Sequence, residues 1–302
     1  MPAVVSHYLL AERVYGTLSP YCAALNDQRT AFLWGASGPD IFFTHRLLPW
    51  QTGKSLRSFG SKMHNMPAEK IINYFMSYAN NSHSDAAVAY TLGFVTHYAF
   101  DSTAHPFVLY FAEKMAEKQP FKNISMCHNE IESALDTMFL KREKNERISN
   151  FKLQSTSPFQ KEVNLTIAEL YHSYFLMSMH KNVSVDTLIE VQRDWNKGLS
   201  LLNDSHKLKK SVVQTGEKLF RSEAALSSII RTPLPDVKKD YANLKKSEWI
   251  APADGSEHHD TFFELADKAT KLSLQLSAIL IAGNPLPHTL CEASFSGKKK
   301  NC

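Results

Sequence analysis

Apolar side chains recur at helical spacing along most of the chain, and strand-like alternation is scarce throughout. Val4, Tyr8, Ala11 and Val14 mark a first helix within residues 3–16, which begins near Ser6 and holds His7 in its first turn. From Phe32 to Phe43 two glycines and a proline fall within five residues, followed by Asp40, so this stretch reads as a tight buried loop that presents Asp40 inward. Residues 49–60 are loop-like, and His64 lies three residues before Pro67, behind which a helix spans Ala68 to Tyr78. Asn80, Asn81 and Ser82 interrupt the chain, and Ser84 caps a long run from Ala86 to His105. In that run Tyr90, Phe94, His97, Tyr98 and Asp101 share a face, which turns ligand-type side chains toward the core. Pro106 removes a helical hydrogen bond and disfavours helical geometry at His105, predicting a kink that aims His105 away from its two predecessors.

A helix from Ser125 to about Lys141 carries Ile131, Leu135, Met138 and Phe139 at core spacing, with His128 and Glu132 bordering that face. Further helices are expected over Phe159–His180, Val185–Leu202, His206–Ile230 and His259–Leu280. A Pro- and Lys-rich connection, Thr232 to Ser256, contains Trp249-Ile-Ala-Pro252, which with Phe262, Phe263 and Leu265 reads as a docking segment closing the last helix onto the rest. There is no internal repeat, no useful heptad run, no GxGxxG and no P-loop. The expected architecture is an all-α multi-helix bundle in one domain, 1–302, with the metal-type residues in 1–140 and a helical support layer in 150–290.

Composition narrows the function. A chain of 302 residues with 43% hydrophobic content can bury a sizeable core, and a net charge of +4 with dispersed Lys and Arg is too mild to argue for nucleic acid. The first residues lack the basic and apolar regions of a signal peptide, and no run approaches eighteen apolar residues. Cys22, Cys127, Cys291 and Cys302 are scattered and form no CxxC pair, which fits a reducing compartment. Together these predict a cytoplasmic protein.

The candidate chemistry lies in His97-x-x-x-Asp101-x-x-x-His105 and His128-x-x-x-Glu132, each set at intervals of four on one helical stripe. A lone histidine on an apolar face is usually structural, and a His/Asp pair at that spacing is often an ion pair stabilising a helix by about 0.2–0.5 kcal/mol. Three such groups on an apolar stripe, joined by a second His/Glu pair, would leave costly unpaired groups in a core unless they bind something. With His7, Asp40 and His64 they make eight His, Asp and Glu candidates within the first 132 residues, more than one zinc requires. Histidine and carboxylate ligands without cysteine suggest a multinuclear hydrolytic site. His45, His83, His172, His180, His206 and His288 read as structural or surface residues, and His258 and His259 as the approach to the last helix, with Asp260 near its N-terminus. Phe42, Phe43, Tyr98 and Phe107 either line a cleft or fill the core.

The order His7, Gly38-Pro39-Asp40, His64, His97-x-x-x-Asp101-x-x-x-His105, His128-x-x-x-Glu132 resembles the bacterial zinc-dependent phospholipase C family over residues 4–140. The resemblance implies an all-helical fold with two or three Zn2+ ions in a cleft. It implies one zinc on Asp40, His64, His97 and Asp101, a second on His105, His128 and Glu132, and a third on His7 with Asp101 bridging. Secreted members contribute an N-terminal tryptophan to the third zinc, whereas this chain starts Met1-Pro2, and a Pro2 amine freed by loss of Met1 would have to substitute. The gap of 22 residues between His105 and His128 looks longer than in the secreted enzymes. The activity implied is hydrolysis of a phosphodiester by attack of zinc-bound hydroxide, with Asp40 as ligand and proton acceptor and Glu132 as ligand only. A nuclease or nucleotidase with a similar site, and a non-catalytic metal-binding protein, are the competing readings. The expected partners are a phospholipid or soluble phosphodiester, with transient contact to a membrane surface and no nucleic acid; the oligomeric state is left open.

Overall fold

In the computed structural model the described residues are 3–47, 50–119, 122–202, 230 and 239–297. Their axis is one helix. The Ser84 side chain accepts a hydrogen bond from the Ala87 amide and starts α5, which runs for 33 residues from Asp85 to Glu117. Every residue from Ala89 to Asp101 is buried, so this segment is enclosed on all sides, as suits a run with almost no charged side chain. Packed around it are α1 (Val4–Leu18), α2 (Arg29–Ala36), α4 (Ala68–Asn81), α6 (Ile124–Lys144) and α9 (Phe262–Ile281). The shorter α3 (Arg57–His64) packs on the 3-10 turns over Gly38–Thr44, while α7 (Lys161–Met179) and α8 (Val185–Leu202) pair with each other on the far side of those turns. The all-α expectation holds: among the described residues the only strands are the antiparallel two-residue pair β1 (Trp249–Ile250) and β2 (Glu257–His258).

The crossing of α2 on α5 depends on two glycines. A Cβ on Gly35 would lie 2.1 Å from the Tyr90 carbonyl oxygen, and one on Gly93 would lie 2.0 Å from that of Phe32. Backbone therefore meets backbone, and this sets the depth at which the segment after α2 reaches α5.

Several boundaries differ from the sequence reading. The stretch after Phe32 is no simple loop: α2 continues to Ala36 and 3-10 turns follow, while α3 occupies the end of a segment read as loop. The helix over Ala68 passes through Asn80 and ends at Asn81. Pro106 does not end α5, which continues to Glu117 and so takes up half of the long gap before His128. The last helix starts behind Thr261, whose side chain and that of Glu264 form a reciprocal capping box. His258 is a strand residue stacked on Trp249 and is no part of the helix N-terminus. Trp249 is buried against Phe107, and Phe262 meets Phe100 and Phe139, so the docking segment does close α9 onto α5 and α6. Residues 206–229 of the helix expected over His206–Ile230, residues 232–238 of the connection, and Met1-Pro2 lie outside the described residues. Cys22, Cys127 and Cys291 are buried free thiols. No described helix is long and apolar enough to cross a membrane.

Candidate metal centre

The eight candidate ligands come from five elements and meet around Asp101. Its Oδ1 lies 3.2 Å from His7 Nε2 and 3.5 Å from His105 Nδ1. Its Oδ2 lies 3.3 Å from His97 Nε2 and 3.7 Å from His64 Nε2. His64 Nε2 is also 3.2 Å from Asp40 Oδ1. On the other side, Glu132 Oε1 lies 3.7 Å from His105 Nε2 and Oε2 lies 3.1 Å from His128 Nε2. Three sets have donor atoms close enough together to hold one ion each: His7, His97 and Asp101; Asp40, His64 and His97; and His105, His128 and Glu132. His7, Asp40, His97, Asp101 and Glu132 are buried, while the rings of His64, His105 and His128 reach partial exposure and form the rim.

Local structure explains each placement. Gly38 adopts φ +52, and a Cβ there would sit 2.4 Å from His97 Cδ2, so glycine is required both for the turn and for room above the His97 imidazole. The turn delivers Asp40. His7 is fixed by Asp136 of α6, whose carboxylate accepts from the Val5 and Ser6 amides and the Ser6 hydroxyl at 2.7–3.3 Å. A carboxylate at the start of α1 satisfies donors that have no partner inside the helix and favours its dipole. Asp136 follows Glu132 by four residues, so His128, Glu132 and Asp136 form one stripe, a signal present in the sequence spacing.

The protonation pattern calls for cations. His97 Nδ1 pairs with the Ala36 carbonyl at 3.0 Å, His64 Nδ1 with that of Gly60 at 2.8 Å, and His105 Nδ1 with that of Phe295 at 3.1 Å. A carbonyl only accepts, so each Nδ1 carries the proton and each neutral ring turns its Nε2 lone pair toward a carboxylate. Lone pair then faces lone pair unless a proton or metal lies between. His97 Nε2, His7 Nδ1 and Glu132 Oε2 are buried with no hydrogen-bond partner among the described residues. Carbonyl-anchored imidazoles are the usual outer support of metal-binding histidines. The residues therefore fit zinc: nitrogen and carboxylate donors, pre-oriented and under-satisfied.

Titration follows the same geometry. Burial raises the Asp40 and Asp101 carboxyls, but positive charge outweighs it and holds both well below the ordinary carboxylate range: the N-terminal charge, then His64 and His97, for Asp40, and His105, His97 and His7 for Asp101. For Glu132 burial is likewise overcome, by His128 and His105 among others, and it is pulled down to about 2. His64 is raised although burial opposes it, because Asp40 stabilises its charged form. His7 is lowered by burial and by the His97 ring stacked 4.4 Å from it.

A fourth set, His45, Glu190 and Asp194, resembles a ligand group only in spacing. His45 Nδ1 accepts the Leu56 amide proton, which leaves the neutral ring's hydrogen on Nε2 and no lone pair for a metal. Arg46 already serves the acids: its side chain binds Glu190 and its amide donates to Asp194.

An all-helical bundle in which three His and carboxylate sets adjoin one another, with three of their rings partly exposed, defines a class of proteins suited to hold several metal ions side by side. Residues 6–196 match the model of the family described as zinc dependent phospholipase C, and the chain belongs to that family. All eight candidate ligands fall within the matched residues. No curated protein and no solved structure matches the chain.

Proposed function

We propose that the protein is a zinc-dependent phosphodiesterase of phospholipase C type, with Asp40, His64, His97 and Asp101 holding one ion, His105, His128 and Glu132 a second, and His7 with Asp101 contributing to a third. The observation that carries this reading is Asp101, whose Oδ1 faces His7 Nε2 while its Oδ2 faces His97 Nε2 and His64 Nε2, as suits a shared carboxylate. Zinc supplies charge neutralisation of the phosphodiester and acidifies the attacking water.

The protein's own residues do the rest. Asp40, buried and anionic, orients the attacking water and takes its proton. His97 and Asp101 are enclosed, which would hold Asp101 in place as a ligand shared between ions. His64, His105 and His128 occupy the exposed rim, where a phosphate oxygen approaches from solvent. Glu132 acts as a ligand only. Supporting a lipid substrate, Trp50 is 74% exposed on the loop that follows the Asp40 turns, with Leu47 also exposed. An exposed indole suits the water-lipid boundary.

Turnover of a chromogenic phosphocholine ester, compared with single-stranded DNA and run with and without chelator, tests the proposal. Ester hydrolysis that stops with chelator is expected. DNA cleavage with no ester turnover would instead favour a nuclease, and zinc binding with neither activity a non-catalytic metal protein. Trp50→Ala is expected to slow hydrolysis of phosphatidylcholine vesicles while leaving the soluble ester unaffected; equal loss on both would remove the lipid-surface role.

A further inference from the structure

Resting on the zinc reading, we propose that the C-terminal segment 286–297, which lies beyond the family-matched residues, is a working part of the metal cleft, and that Phe295 is a positioning residue whose carbonyl takes up the His105 Nδ1–H and so keeps it off Asp101. The argument begins with one proton. His105 Nδ1 has two acceptors nearby, the Phe295 carbonyl at 3.1 Å and Asp101 Oδ1 at 3.5 Å. A neutral imidazole has a single N–H. Donated to Phe295, it leaves the Nε2 lone pair directed toward Glu132 and leaves Asp101 Oδ1 for His7 and its ion. With the Phe295 carbonyl withdrawn, the nearest acceptor is Asp101 itself, and the shared carboxylate would lose a ligand lone pair to a hydrogen bond. The carbonyl thus keeps the two halves of the cleft from competing.

The segment is built to stay in place. The Asn73 side chain donates to the Leu286 carbonyl and accepts from its amide at 3.0 and 2.7 Å. His288 pairs with the buried Glu69, and Tyr98 OH donates to the Ala293 carbonyl at 2.9 Å. The Phe295 ring is fully buried and edges onto His64, Phe94 and Tyr98 at centroid distances of 5.2–5.9 Å, so it also walls the His64 side of the cleft. Two residues on, Gly297 has φ +72 and lies so close to α5 that a Cβ would stand 2.3 Å from Pro106 Cγ and 3.1 Å from the Ser102 carbonyl oxygen. Pro106 has no amide hydrogen to offer that carbonyl. The segment therefore grips α5 immediately beside His105, at the gap in its hydrogen-bond ladder.

Gly297→Val should lift this end off α5. Metal-free full-length chain, with its helical circular dichroism verified, is titrated with zinc against a chromogenic chelator. The variant is expected to keep its helical signal while at least one zinc per chain weakens by about 10- to 100-fold, the usual effect of removing an orienting partner of a ligand. Should Gly297→Val fail to fold, Asn73→Ala combined with Tyr98→Phe releases the same segment through its other anchors and carries the same expectation. Glu292→Ala, an exposed change in the same segment that leaves its anchors and the Phe295 carbonyl in place, should bind zinc as the wild type does; a matching loss there would overturn the assignment to the carbonyl. Wild-type zinc number and affinity in the released variant would overturn the proposal. A wild-type chain that takes up no zinc would instead defeat the zinc reading on which it rests.

Discussion

Asp101 is the residue at which the imidazoles of His7, His64, His97 and His105 converge, and its substitution separates binding from chemistry. Asp101→Asn replaces one acceptor oxygen by a donor and removes the bridging charge, so zinc content should fall together with hydrolysis. Asp40→Asn keeps the volume and should keep the fold while lowering kcat by about 10²- to 10⁴-fold, the range for loss of a proton acceptor; unchanged turnover would remove that role. Without metal, pH acts through the same groups. Glu132, pulled from an ordinary value of 4.5 to about 2, contributes stability present above pH 4.5 and lost as pH falls toward 2. His64 is raised above 6.5, so its contribution is complete below that pH and fades as pH climbs through the folded value. Thermal melts of the metal-free chain should therefore peak between those limits, and a stability that rises steadily from pH 4 to 8 would contradict the pairing. The eight ligand candidates are readable from residue type and helical spacing alone. What spacing does not convey is the main-chain support: the carbonyls of Ala36, Gly60 and Phe295 carry no residue-type signature, and only the folded chain brings them to their imidazoles.

At the scale of elements, α5 supplies three candidate ligands, and α1, α2, α4, α6 and α9 pack directly on it. Gly35→Ala or Gly93→Ala would drive a methyl into a carbonyl oxygen at about 2 Å, and destabilisation by about 3 kcal/mol or more is expected in urea melts, at or above the usual cost of overpacking. Asp136→Ala removes three hydrogen bonds to a charged acceptor at the start of α1. A loss of about 3 kcal/mol or more, with weakened zinc binding at His7, should follow, since such bonds contribute about 1.5–3 kcal/mol each. The helices with clear periodicity, such as α1 and α7, are found within a few residues of their expected bounds. The misses have local causes. Glycine, proline and serine around α2 and α3 carry the composition of loops, yet burial of α2 against α5 and of α3 against the 3-10 turns over Gly38–Thr44 makes them helical. Pro106 breaks the hydrogen-bond ladder without ending α5, because packing against α6 and α9 holds the helix on both sides of it.

For the whole molecule, the candidate ligands lie where the N-terminal helix, the Asp40 turns, α3, α5, α6 and the C-terminal segment meet, so a metal bound there would stabilise the fold. Zinc that binds only the folded chain adds RT ln(1 + [L]/Kd), about 4 kcal/mol at a thousandfold excess over Kd. Chelation should accordingly lower the melting temperature, with recovery on adding zinc, and an indifferent melt would separate the cleft from metal. The long middle region of the cleft, from His7 to Glu132, is legible because its chemistry repeats at helical intervals. The contribution of residues 286–297 is not, because it comes through a carbonyl, a glycine and a phenyl ring that show no metal-type pattern. The central claim, that one cleft holds several zinc ions bridged by Asp101, is tested most directly by native mass spectrometry of the zinc-reconstituted chain. Two or three zinc ions per wild-type chain and fewer in Asp101→Asn are predicted. One or none in the wild type, or an undiminished number in the variant, would contradict it.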